Sequence, residues 1–108
     1  MITIRINFII ILVCVLSLFA ANAQAEGDAA RGHELAEYCV DCHGDDGLGD
    51  EDIPTIAGMD AVDMHNALMD FKSGARVDEY EMMVETAVDL SEQDITDLAA
   101  YFSTLPGK

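Results

Sequence analysis

The sequence predicts an all-α domain, and three observations support this fold class. Apolar residues recur at helical spacing in several segments. Side chains that can cap a helix precede three of these segments, and glycine or proline follows two of them. No segment alternates apolar and polar residues in the way of a half-buried strand. We therefore expect one domain built from about four short helices.

The first 25 residues are predicted not to belong to the folded domain. Arg5 precedes an apolar run of 14 residues from Phe8 to Ala21, and Ala23-Gln24-Ala25 is typical of a signal-peptide cleavage site. This run is shorter than the roughly 20 residues that span a bilayer. We expect a cleaved signal peptide over 1–25, which includes Cys14, and a periplasmic domain over 26–108 with no membrane span. An uncleaved membrane anchor is the alternative.

The first helix of the domain is predicted from about Asp28, its capping residue, to Val40. Its apolar stripe consists of Gly32, Leu35, Ala36 and Cys39. A glycine costs a helix interior about 1 kcal/mol relative to alanine, so Gly32 indicates the close approach of another helix. The glycines and acidic residues of the segment 43–54 predict a loop. Its acidic residues do not match a calcium-binding EF-hand.

Three further helical segments follow this loop. One is expected from about Asp60, its cap, to Ser73, with Gly74 as its C-terminal stop. A short helix or helical turn is expected over 79–88. The last helix begins after Ser91, where Ser91-Glu92-Gln93-Asp94 resembles a capping box, and ends before Pro106.

The five residues Cys39-Val40-Asp41-Cys42-His43 form the pattern for covalent haem attachment. Each cysteine sulfur can form a thioether with one haem vinyl group, and the histidine can then bind the iron from the same side. A structural zinc site needs two more ligands beyond the two cysteines, and neither His33 nor His65 stands at a zinc-finger spacing from them. A thioredoxin-like pair needs a βαβ context, and a disulfide needs no histidine. We therefore expect one covalently bound haem c.

The charge of the chain excludes some partners. The chain has 21 acidic and five basic residues, a formal net charge of −16, and every acidic residue lies after residue 25. Such a protein repels nucleic acid and anionic membranes. The charge could steer a redox partner with a basic docking surface towards the protein. It could equally serve solubility or adaptation to high salt.

A second axial ligand has to come from later in the chain. Methionine is the favoured partner of histidine in electron-transfer cytochromes, because a neutral thioether raises the reduction potential. The candidates after residue 25 are Met59, Met64, Met69, Met82 and Met83. Met64 and Met69 are predicted to pack in the core, and composition alone does not choose among the others.

The chain resembles the small class I c-type cytochromes of the c4 and c553 kind over nearly all of the domain. The matching segments are Cys39-to-Gly44, Asp46-Gly47, Pro54-to-Gly58, Phe71-to-Arg76, Leu90-to-Ile95 and Leu98-to-Phe102. The resemblance implies a cytochrome c-like domain around one haem. It also implies that the ligand methionine stands eight residues before the serine that opens the last helix. That position is Met83, with Met82 as the rival and Met59, His65 or an open position as remaining alternatives.

The resemblance implies roles for other residues too. The carbonyl of Pro54 would accept a hydrogen bond from the ring of the ligand His43 and so orient it. Gly32 would cross the last helix near Tyr101 or Phe102. Arg76 would approach a haem propionate, or lie exposed to solvent.

Three functions are consistent with these features. The first is a single-electron carrier with iron bound by His43 and Met83, which is not itself an enzyme. The second is a subunit role, because the segments around Met59 and Ser73 also resemble the cytochrome subunit of flavocytochrome c sulfide dehydrogenase, whose partner is a flavoprotein. The third is a haem enzyme or gas sensor with an open sixth position, which requires that neither Met82 nor Met83 binds the iron.

Overall fold

The computed structural model describes residues 27–108, which form five α-helices and no strand. The helices are α1 (Ala29–Leu35), α2 (Glu37–His43), α3 (Ala61–Ser73), α4 (Met82–Val88) and α5 (Glu92–Ser103). The predicted all-α fold is confirmed. The predicted signal peptide over 1–25 lies outside the described residues. Within 27–108, no helix has the length and apolar character needed to cross a membrane.

The first predicted helix is divided into α1 and α2 at Ala36. Ala36 keeps helical dihedral angles, and its amide donates to the carbonyls of both Gly32 (2.9 Å) and His33 (3.2 Å). The two helices therefore form one continuous helical segment with an irregular turn at Ala36. The predicted end near Val40 was wrong, because α2 continues to His43 and ends at Gly44, which has φ +84°. The whole haem-attachment motif thus lies in regular helix.

The predicted helix caps are present. The side chain of Asp28 accepts hydrogen bonds from two amides of α1, and that of Asp60 does the same for α3. Ser91 and Asp94 form the reciprocal capping box at the start of α5. Gly74 ends α3 in the left-handed conformation, with φ +78°. The local signals in the sequence therefore set these helix boundaries.

The helices pack around α5. Helix α1 crosses α5 on one side, while α3 packs against both α5 and α4. The buried core consists of Ala36, Met64, Leu68, Ile95, Leu98, Ala99 and Phe102. At the crossing, a Cβ atom added to Gly32 would lie 2.0 Å from the carbonyl oxygen of Asp97 and 2.8 Å from the Cβ of Tyr101. The backbones of α1 and α5 are thus so close that only glycine fits.

A buried carboxylate joins the same two helices. Asp97 on α5 is 1% exposed, and it accepts hydrogen bonds from the amide of Asp28 (2.8 Å), from Nη1 of Arg31 (2.7 Å) and from Nε2 of Gln93 (2.9 Å). Arg31 also contacts Asp94 at 2.6 Å. Burial acts to raise the pKa of Asp97, but these hydrogen bonds outweigh it and hold the pKa below its usual value.

We expect the substitution Gly32→Ala to destabilise the holoprotein by about 3 kcal/mol, because overpacking of this size forces the helix backbones apart. Gly74→Ala is the control. Its added Cβ would meet no atom within 4 Å, so only the left-handed conformation costs stability, about 1 kcal/mol. Chemical denaturation followed by circular dichroism measures both. Equal losses in the two variants would contradict a backbone contact at Gly32.

We expect Asp97 to make stability depend on pH. Because its pKa is lowered in the folded state, its contribution is present above the unfolded value of about 3.9 and is lost as the pH falls further. The variant Asp97→Asn should therefore be less stable than the wild type at neutral pH, and the gap should narrow below about pH 4. Unfolding free energies across this pH range test the expectation, with the exposed Asp89→Asn as control. A constant gap would refute it.

Candidate functional site

Helix α2 carries the two cysteines and the histidine of the motif. Cys39 is partly buried against the core, Cys42 is exposed, and His43 is only 6% exposed. Cys39 and Cys42 are three residues apart on one helix, so their side chains lie on neighbouring parts of the same face. No disulfide joins them. This arrangement offers two sulfurs and one imidazole to a single planar group.

The environment of Cys39 favours a neutral thiol. Burial, together with the neighbouring Cys42, raises the pKa of Cys39 to about 11. Cysteines that act as redox nucleophiles or bind metals through sulfur have lowered pKa values, because the thiolate is their reactive form. The raised pKa therefore makes Cys39 poorly suited to act as a redox nucleophile or as a thiolate ligand of a metal.

The ring of His43 has a fixed orientation. Its Nδ1 lies 2.8 Å from the carbonyl oxygen of Pro54. A carbonyl only accepts, so Nδ1 carries the hydrogen, and Nε2 keeps its lone pair for a metal. Hydrogen bonding of the ring nitrogen that does not bind the metal is the usual way in which a protein orients a ligating histidine. The position and the tautomer of His43 both fit an iron ligand.

The loop after α2 brings Pro54 to this position. The amide of Gly49 donates to the carbonyl of His43 at 2.7 Å, and the hydroxyl of Thr55 donates to the carbonyl of Leu48 at 2.6 Å. Gly49 has φ +65°, and an added Cβ would lie 2.0 Å from the carbonyl oxygen of Ile53. The loop therefore folds back closely upon itself. The predicted loop is confirmed for 44–54, whereas His43 belongs to α2.

One acidic residue of this loop has a structural role. The carboxylate of Asp50 accepts hydrogen bonds from the amides of Asp52 (2.9 Å) and Ile53 (2.8 Å). The bonds from Ile53 and Asp52 hold the pKa of Asp50 below its usual value. The charge of this aspartate thus stabilises the turn immediately before Pro54.

The methionine candidates differ in burial. Met64 is 4% exposed and belongs to the core, while Met59 and Met69 are partly buried against it. On the first turn of α4, Met82 is 50% exposed, whereas Met83 is partly buried and packs against the core. Neighbouring side chains on a helix point about 100° apart. Of these two, Met83 therefore faces the interior.

Two charged side chains, which the sequence did not indicate, hold the ends of α4. Asp78 accepts hydrogen bonds from the amides of Met83 (3.1 Å) and Val84 (3.4 Å) at the N-terminal end. Burial acts to raise the pKa of Asp78, but backbone hydrogen bonds, led by that from Met83, bring the pKa below its usual value. At the other end, Nζ of Lys72 donates to the carbonyls of Val88 (3.0 Å) and Leu90 (2.5 Å).

The structure gives no sign that Arg76, His33 or His65 binds the iron or the haem. The guanidinium of Arg76 lies 4.7 Å from the centre of the Phe71 ring. The ring of His33 stacks on that of Tyr101, with their centres 4.9 Å apart. Tyr101 thus lies at the helix crossing, as expected, and His65 is half-buried on α3.

Comparison with known proteins places this arrangement in a family. The family model for cytochrome c matches residues 29–106. The chain is 38% identical over 80 residues to cytochrome c-554(548) of Halomonas halodenitrificans, and this match covers 72% of this chain and 96% of that protein. It is 35% identical over 79 residues to the cytochrome subunit of sulfide dehydrogenase of Chlorobaculum tepidum, and this match covers 73% of this chain and 70% of the subunit.

A solved structure shows the same fold. The crystal structure of reduced cytochrome c4 from Pseudomonas stutzeri matches with a TM-score of 0.68 at 26% identity, over 79% of this chain and 50% of that one. This chain therefore spans about half of that cytochrome c4. The expected cytochrome c-like fold and the expected haem c are confirmed, and Cys39 and Cys42 fit the attachment motif. The chain belongs to the cytochrome c family, as a class I c-type monohaem cytochrome with a covalently bound haem c.

Proposed function

We propose that this protein is a periplasmic carrier of single electrons, with haem bonded to Cys39 and Cys42 and iron bound by His43 and Met83. The observation that carries the proposal is the hydrogen bond of 2.8 Å between the ring of His43 and the carbonyl of Pro54. Because Nδ1 carries the hydrogen of this bond, Nε2 of the buried imidazole keeps its lone pair and can bind iron. The haem supplies a one-electron couple of ferrous and ferric iron.

Burial supports Met83 rather than Met82 as the second ligand. The side chain of Met83 packs towards the core, whereas half of Met82 is exposed. Met83 also stands eight residues before Ser91, which caps α5. With an imidazole and a thioether both bound, iron has no position for a substrate. The protein then passes electrons and does no bond chemistry.

The distribution of charge supports a basic partner. The four basic residues after residue 25 are Arg31, Lys72, Arg76 and Lys108. The first three have intramolecular partners: Arg31 pairs with carboxylates, Lys72 binds the carbonyls at the end of α4, and Arg76 lies over an aromatic ring. They offset few of the exposed carboxylates, so a redox protein with a basic docking surface would be attracted.

A second candidate function is that of a subunit. The similarity to the cytochrome subunit of sulfide dehydrogenase extends over most of that subunit. In this role the same iron would accept electrons from a flavoprotein bound to it. Purification from the native source at low salt distinguishes the two functions, because a subunit would elute together with a flavin-containing chain, and a free carrier would elute alone.

We expect Met83→Ala to lose the weak far-red absorption band that methionine–iron bonding gives to the oxidised protein. Its reduced form should bind carbon monoxide, because one iron position is now open. Met82→Ala is the matched control and should keep the wild-type spectrum. The reverse result would assign the ligand to Met82. A wild type without the band that binds carbon monoxide would instead support a haem enzyme or gas sensor.

We expect the sign of the charge on a small oxidant to control the effect of salt on electron transfer. Oxidation of the reduced protein by the cationic tris(phenanthroline)cobalt(III) should slow as ionic strength rises from about 10 mM to about 200 mM, because salt screens the attraction. Oxidation by anionic ferricyanide should accelerate over the same range. Stopped-flow absorbance measures both rates. Rates that do not respond to salt would contradict electrostatic steering.

A further inference from the structure

Helix α4 has seven residues and needs support from outside itself. Isolated helices shorter than about 12 residues are marginal in water, because the first turn is costly to form. Its N-cap residue, Glu81, makes no side-chain hydrogen bond to the helix. Glu81 also has φ +56°, a left-handed conformation that is unfavourable for a residue with a Cβ atom. The helix that carries Met83 is thus not held by its own cap.

Asp78 takes over the function of the missing cap. Its carboxylate accepts hydrogen bonds from the amides of Met83 and Val84, the second and third residues of α4. These are the amides that an N-cap side chain normally satisfies. The amide of Glu81 donates to the carbonyl of Asp78 at 3.0 Å, which closes the turn between them. One of the two bonds therefore ends on the backbone of Met83 itself.

Lys72 supports the opposite end. Its ammonium group comes from α3 and binds the carbonyl of Val88, the last residue of α4, and that of Leu90. The negative charge of Asp78 lies at the N-terminal end of α4 and the positive charge of Lys72 at its C-terminal end. Each charge is therefore of the sign that the helix dipole favours.

We propose that Asp78 and Lys72 are positioning residues, which clamp both ends of α4 and thereby hold the sulfur of Met83 against the iron. This inference rests on the proposed role of Met83 as a ligand. The clamp determines how often α4 opens and lets another ligand reach the iron. Loss of either side chain should make Met83 easier to displace, while the haem and His43 remain in place.

The test measures the affinity of imidazole for the oxidised holoprotein by absorbance titration. The loss of a helix cap typically shifts a local opening equilibrium about fivefold, so Asp78→Ala should bind imidazole about fivefold more tightly than the wild type. Asp78→Asn retains an oxygen that can accept both hydrogen bonds and should stay within about twofold. Glu79→Ala removes a charge next to Asp78 without removing a bond to α4, and should match the wild type.

Lys72 provides an independent arm. Lys72→Met keeps the length of the side chain but loses both hydrogen bonds, and should also raise the affinity about fivefold. Lys108→Met is the control of equal charge. If Asp78→Ala does not fold, the comparison of Lys72→Met with Lys108→Met tests the clamp alone.

The outcomes separate this inference from the proposed function. A wild type without the methionine–iron band would overturn both. A wild type with the band, together with clamp variants that bind imidazole like the wild type, would overturn the clamp alone, even if those variants unfold more easily. An equal rise in Glu79→Ala would also overturn it, because surface charge would then explain the effect.

Discussion

The close crossing of α1 over α5 at Gly32 is the constraint on which the rest of the structure depends. Helix α2 continues α1 through Ala36, so the crossing sets the direction of the helix that carries the haem-attachment motif. Helix α5 also packs against α3, which in turn packs against α4. Of the two proposed ligands, His43 lies on α2, which is joined to α1, and Met83 lies on α4, which packs against α3. The crossing therefore connects the two sides of the iron site.

The buried Asp97 secures the same crossing by different means. Contact between two backbones supplies dispersion but little direction along the helix axes. The three hydrogen bonds to Asp97 are directional and come from α1, from the residue that caps α1, and from α5 itself. They pair a carboxylate that would otherwise be costly to bury. The crossing is thus fixed in both its distance and its register.

Features that depend on residues close together in the sequence could be predicted. The capping residues, the glycine stop at Gly74 and the haem motif all have local signals, and the small residue at Gly32 marked the crossing. The end of α2 was misjudged, because His43 was assigned to the glycine-rich loop although the break comes only at Gly44.

Contacts between distant residues had no comparable signal in the sequence. Nothing in the sequence distinguishes Asp97 from the other acidic residues, because its partner Arg31 stands 66 positions earlier in the chain. Lys72 binds carbonyls 16 and 18 residues later. Asp78 caps a helix that begins four residues after it, outside the usual spacing of a capping box.

The support of α4 by charged side chains has a consequence for electron transfer. A neutral thioether stabilises ferrous iron relative to ferric iron, so the bond to methionine is weaker in the oxidised state. A carrier must nevertheless keep the same ligands in both states, because a ligand exchange would add a slow step to each transfer. If the bond between Met83 and the iron weakens after oxidation, other contacts within the protein have to keep Met83 in its position. The hydrogen bonds of Asp78 and Lys72 do not involve the iron, so under the proposed clamp we expect them to keep α4 in place in either oxidation state.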